Sequence, residues 1–266
     1  LHFANPMPIQ KDLDVYNSMY HDSAHGGKLR DLKQDAFFIG LAKTRLNFIT
    51  NNLNPKIIPS KILEIGPGPG AFAKVWLDNY PDSSYDVIES DLNCHNELNN
   101  LGLNIVDINN FIESDYELII ISHVLEHVTD PKKFLQTFLE KLKKGGHLFI
   151  EVPCLDYLFK KYDEPHLLFF DKSSMDILMT KLNLKLVKIG YFGIKHKILK
   201  QKIPIFFKRL RRFLWRMGII YYHPQKKALY NLLKNKLQTE AIITFDAHVE
   251  NSDHAWWLRV FSKKLN

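Results

Sequence analysis

The sequence holds two cysteines in 266 residues, Cys94 and Cys154. Two such thiols make neither a disulfide framework nor a metal-ligand spacing. Each is expected to be a small buried hydrophobe, and the chain to work in a reducing cytoplasm. No apolar run approaches the roughly 20 residues that span a bilayer, and no basic-then-apolar leader pattern opens the sequence. Acidic residues are missing from one long stretch. From Ile194 to Thr239 there are nine Lys and four Arg and no Asp or Glu. The formal charge of +7 belongs to that segment, because elsewhere 23 basic residues face 29 acidic ones, a net −6. The basic balance therefore carries no information about the rest of the chain. No RNA-binding motif accompanies it, and no nucleic-acid partner is expected.

What is present centres on Ile62-Leu63-Glu64-Ile65-Gly66-Pro67-Gly68-Pro69-Gly70-Ala71-Phe72-Ala73. An apolar run ending at Ile65 reads as a buried parallel strand. Three glycines at every second position form a turn, and an apolar-periodic stretch then opens a helix. An open α/β sheet builds a nucleotide cradle this way, at the carboxyl end of its first strand. Glycine is required where a ligand touches bare backbone. Gly66, Gly68 and Ala71 also satisfy the dinucleotide spacing, so spacing alone does not choose the ligand. Pro69 removes an N–H that a pyrophosphate needs, and Glu64 adds a carboxylate that favours a cationic ligand. S-adenosylmethionine (SAM) carries a sulfonium and an ammonium and no phosphate.

Glu64 to Gly70 resembles the first motif of class I SAM-dependent methyltransferases. Ser122-His123-Val124-Leu125-Glu126-His127-Val128-Thr129-Asp130-Pro131 resembles the branch of that family acting on small molecules, sugars and lipids. The match covers roughly residues 60–192 in the family's order. It implies an α/β fold, a Rossmann-like doubly wound sheet of seven strands with the last antiparallel, and SAM as cofactor. The expected divisions are an N-terminal helical lid (1–55), a SAM-binding core (56–192), a basic helical insertion (193–252) and the final strand (253–266). The lid, by the same resemblance, folds over the cofactor and brings Tyr20 to its methionine end.

Taken in order, Asp35 to Leu53 carries a helical stripe of Phe38, Leu41, Ala42, Leu46 and Ile49, with Arg45 off the stripe and expected to be solvated. Ser84 to Glu89 is the second strand. Glu89, followed by Ser90, falls where a carboxylate accepts both ribose hydroxyls, with Asp91 the alternative if the register slips by two. Leu103 to Val106 is a third strand, and the resemblance puts Asp107 beside the adenine. Tyr116 to Ser122 is a central parallel strand. It delivers Ser122 to the cofactor and His123, Glu126 and His127 to the carboxyl edge, near the transferable methyl group. Of these, His127 is expected to be structural and His123 to face substrate.

Asp130 caps a helix with Pro131 in its first turn, expected to run to Gly145-Gly146, with a fifth strand from His147 to Val152. The Asn/Asp-Pro-Pro-aromatic signature of nucleic-acid amino-methyltransferases is absent after the fourth strand. Tyr157 and Lys161 match the catalytic pair of short-chain dehydrogenases by spacing, a coincidence given the wrong glycine motif. In the resembled branch His166, before Phe169-Phe170, lines the acceptor pocket. Ser173-Ser174 caps the next helix, Leu184 to Tyr191 is the sixth strand and Ala255 to Phe261 the seventh. The basic insertion weaves Phe206, Phe207, Leu210, Phe213, Leu214 and Met217 with Lys208, Arg209, Arg211, Arg212 and Arg216, a basic amphipathic helix pattern whose default reading is a helix packed on the core with a solvated face. The alternatives are an anionic-substrate or dimer surface and, through residues 195–217, peripheral contact with a membrane surface. Asp246, His248, Glu250 and His254 could offer metal ligands, but alternation along an extended segment puts the first three on one solvated face, and no metal site is expected.

These features point to a methyltransferase that uses His123 or His166 as a base on a hydroxyl of a sugar, a surface-glycan precursor or a lipid-linked acceptor. The abundance of Lys, Asn and Ile suits an AT-rich bacterial genome, and polysaccharide biosynthesis at the inner membrane surface is the expected setting. The alternatives are N-methylation of a small amine, a NAD(P)-dependent oxidoreductase, and a non-catalytic SAM-fold module docking to membrane.

Overall fold

The computed structural model describes residues 1–19, 32–53, 57–108, 115–154, 166–195 and 255–265. It also describes residues 235, 236, 238, 239, 241–243, 246, 248 and 249. In chain order the strands are β1 (His2–Phe3), β2 (Lys61–Ile65), β3 (Ser84–Ile88), β4 (Asn104–Ile105), β5 (Tyr116–Ser122), β6 (Leu142–Pro153), β7 (Leu168–Phe169), β8 (Leu184–Lys195), β9 (His248–Val249) and β10 (Ala255–Lys264). The helices are α1 (Gln10–Ser18), α2 (Leu32–Asn52), α3 (Ala71–Asn79), α4 (His95–Asn100), α5 (Pro131–Leu139) and α6 (Lys172–Lys181). The main sheet runs β4-β3-β2-β5-β6-β10-β8-β9. Strands β4 to β6 pair in parallel, and β10 is antiparallel to both β6 and β8. This is the expected seven-stranded α/β sheet with its last strand antiparallel, extended at one edge by the two-residue β9.

Alternation along β2 divides the core. Ile62 joins Leu46, Phe48 and Ile49 of α2 and Phe72 and Trp76 of α3 on one face. Leu63 and Ile65 join Leu135 and Phe138 of α5 and Met175 and Met179 of α6 on the other. Apolar burial on both faces, about 25 cal/mol per Å2, is what holds a parallel sheet between helices. Helix α2, placed in the lid by the sequence, is part of this core layer. Its Gly40 has Ala241 and Gln238 so close that a Cβ there would come 2.6 Å from the Ala241 Cβ, so the end of the insertion packs on α2. The apolar stripe and the buried cysteines are as expected.

Three local readings are corrected. Arg45 is not solvated but ion-paired, as described below. Helix α5 stops at Leu139, not at Gly145, because the chain turns back so that Leu142 pairs with Tyr116. Residues 143–146 then bulge out before His147 resumes opposite Leu118, and the Lys264 ammonium binds the freed carbonyls of Leu139 and Leu142, each at 2.6 Å. Helix α6 is capped by Asp171, not by the serines. The Asp171 carboxylate accepts the Ser174 N–H at 2.7 Å, and Ser174 Oγ accepts the Asp171 N–H at 3.0 Å, so the serines fall in the first turn.

Candidate active site

Ile65 pairs with Ile88 on β3 and Ile121 on β5, so Gly66, Glu89 and Ser122 leave the sheet side by side at its carboxyl edge. Gly66 has φ +68°, and its N–H donates to the Ile88 carbonyl at 2.8 Å. A Cβ at Gly66 would come 2.4 Å from Val124 Cγ2, so the turn after β5 sits directly on the bare backbone of the cradle. The Gly68 N–H donates to Glu89 Oε2 at 2.8 Å, and Glu89 Oε1 accepts the Asp91 N–H at 2.9 Å. Gly70 closes the turn on the Pro67 carbonyl and is the N-cap of α3.

Two carboxylates stand at this edge. Glu64 is 3% exposed and accepts the Tyr85 hydroxyl at 2.8 Å. Burial raises its pKa to about 7, against the opposing pull of the Tyr85 hydrogen bond and of Arg45. Burial raises Glu89 as well, against the N–H bonds from Asp91 and Gly68. Both acids are therefore short of positive charge. The loop offers no N–H at Pro67 or Pro69, and Glu89 takes the one at Gly68. That donor set fits the sulfonium and ammonium of SAM and not a pyrophosphate.

Of the other expected cofactor residues, Ser90 and Asp107 are exposed after β3 and β4. Ser122 is buried at the end of β5, and its Oγ makes no hydrogen bond among the described residues. Asp91 instead caps the one-turn helix Leu92–Cys94, which leaves Glu89 at the strand end. Tyr20 lies outside the described residues.

His123 has φ +57°, a left-handed conformation that a non-glycine residue holds only under constraint. The constraint is visible. Its N–H donates to the Glu151 carbonyl at 2.8 Å, its Nε2 lies 3.1 Å from Glu151 Oε1, and its Nδ1 lies 3.4 Å from Glu126 Oε1. The ring meets Trp257 edge-on at 5.6 Å. Burial disfavours the charged imidazole, but the nearby Glu126 and Glu151 carboxylates outweigh it, and the pKa stands above the ordinary value. Glu126 and His127 follow in the one-turn helix Leu125–His127, both buried. The Leu167 N–H donates to the Glu126 carbonyl at 2.7 Å. That bond brings His166 against His127, edge to face at 4.9 Å. The structure thus assembles all four histidine and glutamate candidates at one edge.

Two buried charges that adjoin the site were missed by the sequence reading. Glu151 of β6 is fully buried, and its carboxylate takes Arg45 (Nε 2.8 Å, Nη2 2.7 Å), His123 and, on the other oxygen, Arg259 Nε of β10 at 2.7 Å. Arg259 is itself fully buried, donates to Thr44 Oγ1 at 2.8 Å, and lies over the Phe192 ring at 4.7 Å. Asp246 of the insertion stands 3.6 Å from Arg259 Nη1. Against the cost of burial, Arg45, Arg259 and His123 hold Glu151 well below the usual carboxylate range. The signal was available. Each is the one charge within the apolar part of its strand, residues 148–153 for Glu151 and 255–261 for Arg259, and a buried charge there requires a partner of opposite sign.

The fold, the cradle and its acidic acceptors are those of a class I SAM-dependent methyltransferase. The chain belongs to the methyltransferase-domain family, whose profile matches residues 37–189. The protein "Methyltransferase str2" of Strobilurus tenacellus is 32% identical over 125 residues, which are 44% of this chain and 43% of that protein, so the chain spans under half the length of that relative. Among solved structures, the plantazolicin methyltransferase BpumL, in complex with an azolic desmethylPZN analog and SAH, aligns at TM-score 0.56. It shares 17% identity and covers 96% of this chain and 97% of its own. A SAM-dependent methyltransferase from Archaeoglobus fulgidus aligns at TM-score 0.52 with 17% identity, over 85% of this chain and 94% of its own. Coclaurine N-methyltransferase aligns at TM-score 0.56 with 14% identity, over 96% and 86%. These structures share the fold.

Proposed function

We propose that the chain methylates a hydroxyl of a small polar acceptor, a sugar or surface-glycan precursor free or lipid-linked, with His123 as the base. The observation that supports this is the Glu151–His123 pair at the edge beside the cradle. Glu151, held ionised by two arginines, fixes Nε2–H and stabilises the imidazolium, which leaves Nδ1 to take the acceptor's proton. The bound cofactor supplies a strongly electrophilic methyl group. The chain binds it on Gly66, Gly68 and Gly70 between Glu64 and Glu89, and holds the acceptor between His123 and His166, so positioning does much of the work. The basic stretch 195–217 suits an anionic lipid surface, and the proposed setting is the cytoplasmic face of a bacterial inner membrane.

The test is incubation of the protein with methyl-labelled SAM and cell metabolites, followed by identification of the labelled products. Label in sugar O-methyl groups supports the reading. Label confined to amines or carbon overturns it.

A further inference from the structure

Glu126 is 1% exposed, and neither of its carboxylate oxygens receives a hydrogen bond among the described residues. Its nearest cationic atoms are His123 Nδ1 at 3.4 Å and His127 Nε2 at 3.8 Å. A buried carboxylate in that condition costs several kcal/mol unless a strong positive charge meets it. Two imidazoles supply the rest of a ligand set. One donor atom from each of Glu126, His127 and His166 lies within 4.8 Å of the other two. The three residues are fixed from separate directions. The one-turn helix after β5 carries two of them, and the Leu167 N–H bond to the Glu126 carbonyl pins the third.

We propose that Glu126, His127 and His166 form a binding site for a divalent transition-metal ion of the manganese, cobalt or zinc type. Two imidazoles and one carboxylate suit such ions and not magnesium, which prefers an all-oxygen shell. With metal–ligand bonds of about 2.1 Å, donor atoms stand no more than about 4.2 Å apart, so side-chain rotation draws the donors inward by about half an ångström. Three protein ligands leave coordination positions open, and the site lies at the edge that carries His123.

This extends the hydroxyl-methylation reading and rests on it for its chemistry. An ion at this place lowers the pKa of an acceptor hydroxyl. The O–H bond then breaks toward His123 as the O–C bond forms, and the C–S bond pair returns to the sulfonium sulfur.

The experiment is titration of the full, chelator-treated chain with Co2+, read by its visible d–d absorption and by metal analysis after gel filtration. One Co2+ per chain, with binding weakened at least about tenfold in both Glu126→Gln and His166→Ala, supports the site. SAH binding by calorimetry and circular dichroism establish that the variants are folded. No saturable cobalt, or cobalt bound unchanged by folded Glu126→Gln and His166→Ala, overturns it. No acceptor is present, so failure here leaves hydroxyl methylation untouched. A bound ion with methylation found only on amines would instead remove that reading and keep the site.

Discussion

Arg259 and Glu151 face each other in register across β10 and β6, each fully buried, with Arg259 Nε 2.7 Å from Glu151 Oε2. This pair ties three further parts of the chain to β6 and β10. Through Glu151 it reaches Arg45 on α2 and His123 after β5, and through Arg259 it reaches Asp246 in the insertion. Removing Arg259 strips Glu151 Oε2 of its buried cation and leaves Arg45 and His123 on the other oxygen alone. Arg259→Met is expected to lower the unfolding free energy by about 3–5 kcal/mol in urea. Glu151→Leu combined with Arg259→Met is expected to cost less than the sum of the single changes. Additive losses would show that the pair is not coupled.

Glu64 sets a conflict between stability and cofactor binding. Its folded pKa, about 7, stands above the ordinary value of 4.5. An acid with a raised folded pKa favours the folded state most below 4.5 and loses that contribution as pH rises through 7. The amount is on the order of 3 kcal/mol at one pKa unit per 1.36 kcal/mol. Glu64→Gln is therefore expected to raise Tm at pH 8 and leave it little changed near pH 4.5. Ionised Glu64 favours a cationic ligand, so SAM affinity in the wild type rises with pH through 7, and in Glu64→Gln that rise disappears. Calorimetry across pH 6 to 8 that shows equal affinity in the wild type would overturn the electrostatic account of the cradle.

Much of the fold could be read from residues alone, and the reason is local. β5 and β2 are largely apolar runs bounded by turn residues, and their expected limits at Ser122 and Ile65 match the structure. Periodicity failed at ends, where another force decides. α5 is cut short by the pairing of Leu142 with Tyr116, and α6 begins at the stronger cap, Asp171. In the site, the edge positions of His123, Glu126 and His127 followed from strand order. The contact of His166 with His127 depends on a backbone bond between Leu167 and Glu126, 41 positions apart, which no spacing rule contains. Arg45 was misplaced because an amphipathic stripe assigns off-stripe charges to solvent. Here the neighbouring surface is not solvent but β6.

His123 sets the pH dependence of turnover. Its pKa stands above 6.5, so the neutral ring that accepts a proton predominates only at higher pH. For a hydroxyl acceptor, kcat/KM is expected to rise with pH through a value above 6.5 and then level off. In His123→Asn that limb vanishes and the rate falls by about 10²–10⁴-fold, the usual contribution of a general base. A profile unchanged by the substitution would remove His123 as the base.

Gly66 tests whether the cradle depends on bare backbone. Its φ of +68° disfavours any side chain, and a Cβ would meet Val124 Cγ2 at 2.4 Å. The two costs separate by mutation. Gly66→Ala carries both, about 1–3 kcal/mol for the backbone conformation together with the push on Val124 and so on His123 beside it. Adding Val124→Ala removes the contact but leaves φ strained. SAH binding is therefore expected to fall in Gly66→Ala and to recover only in part in Gly66→Ala/Val124→Ala. Full recovery would make the Val124 contact the sole reason for glycine at this position. Unaltered binding in Gly66→Ala would mean that the loop relaxes away from both constraints.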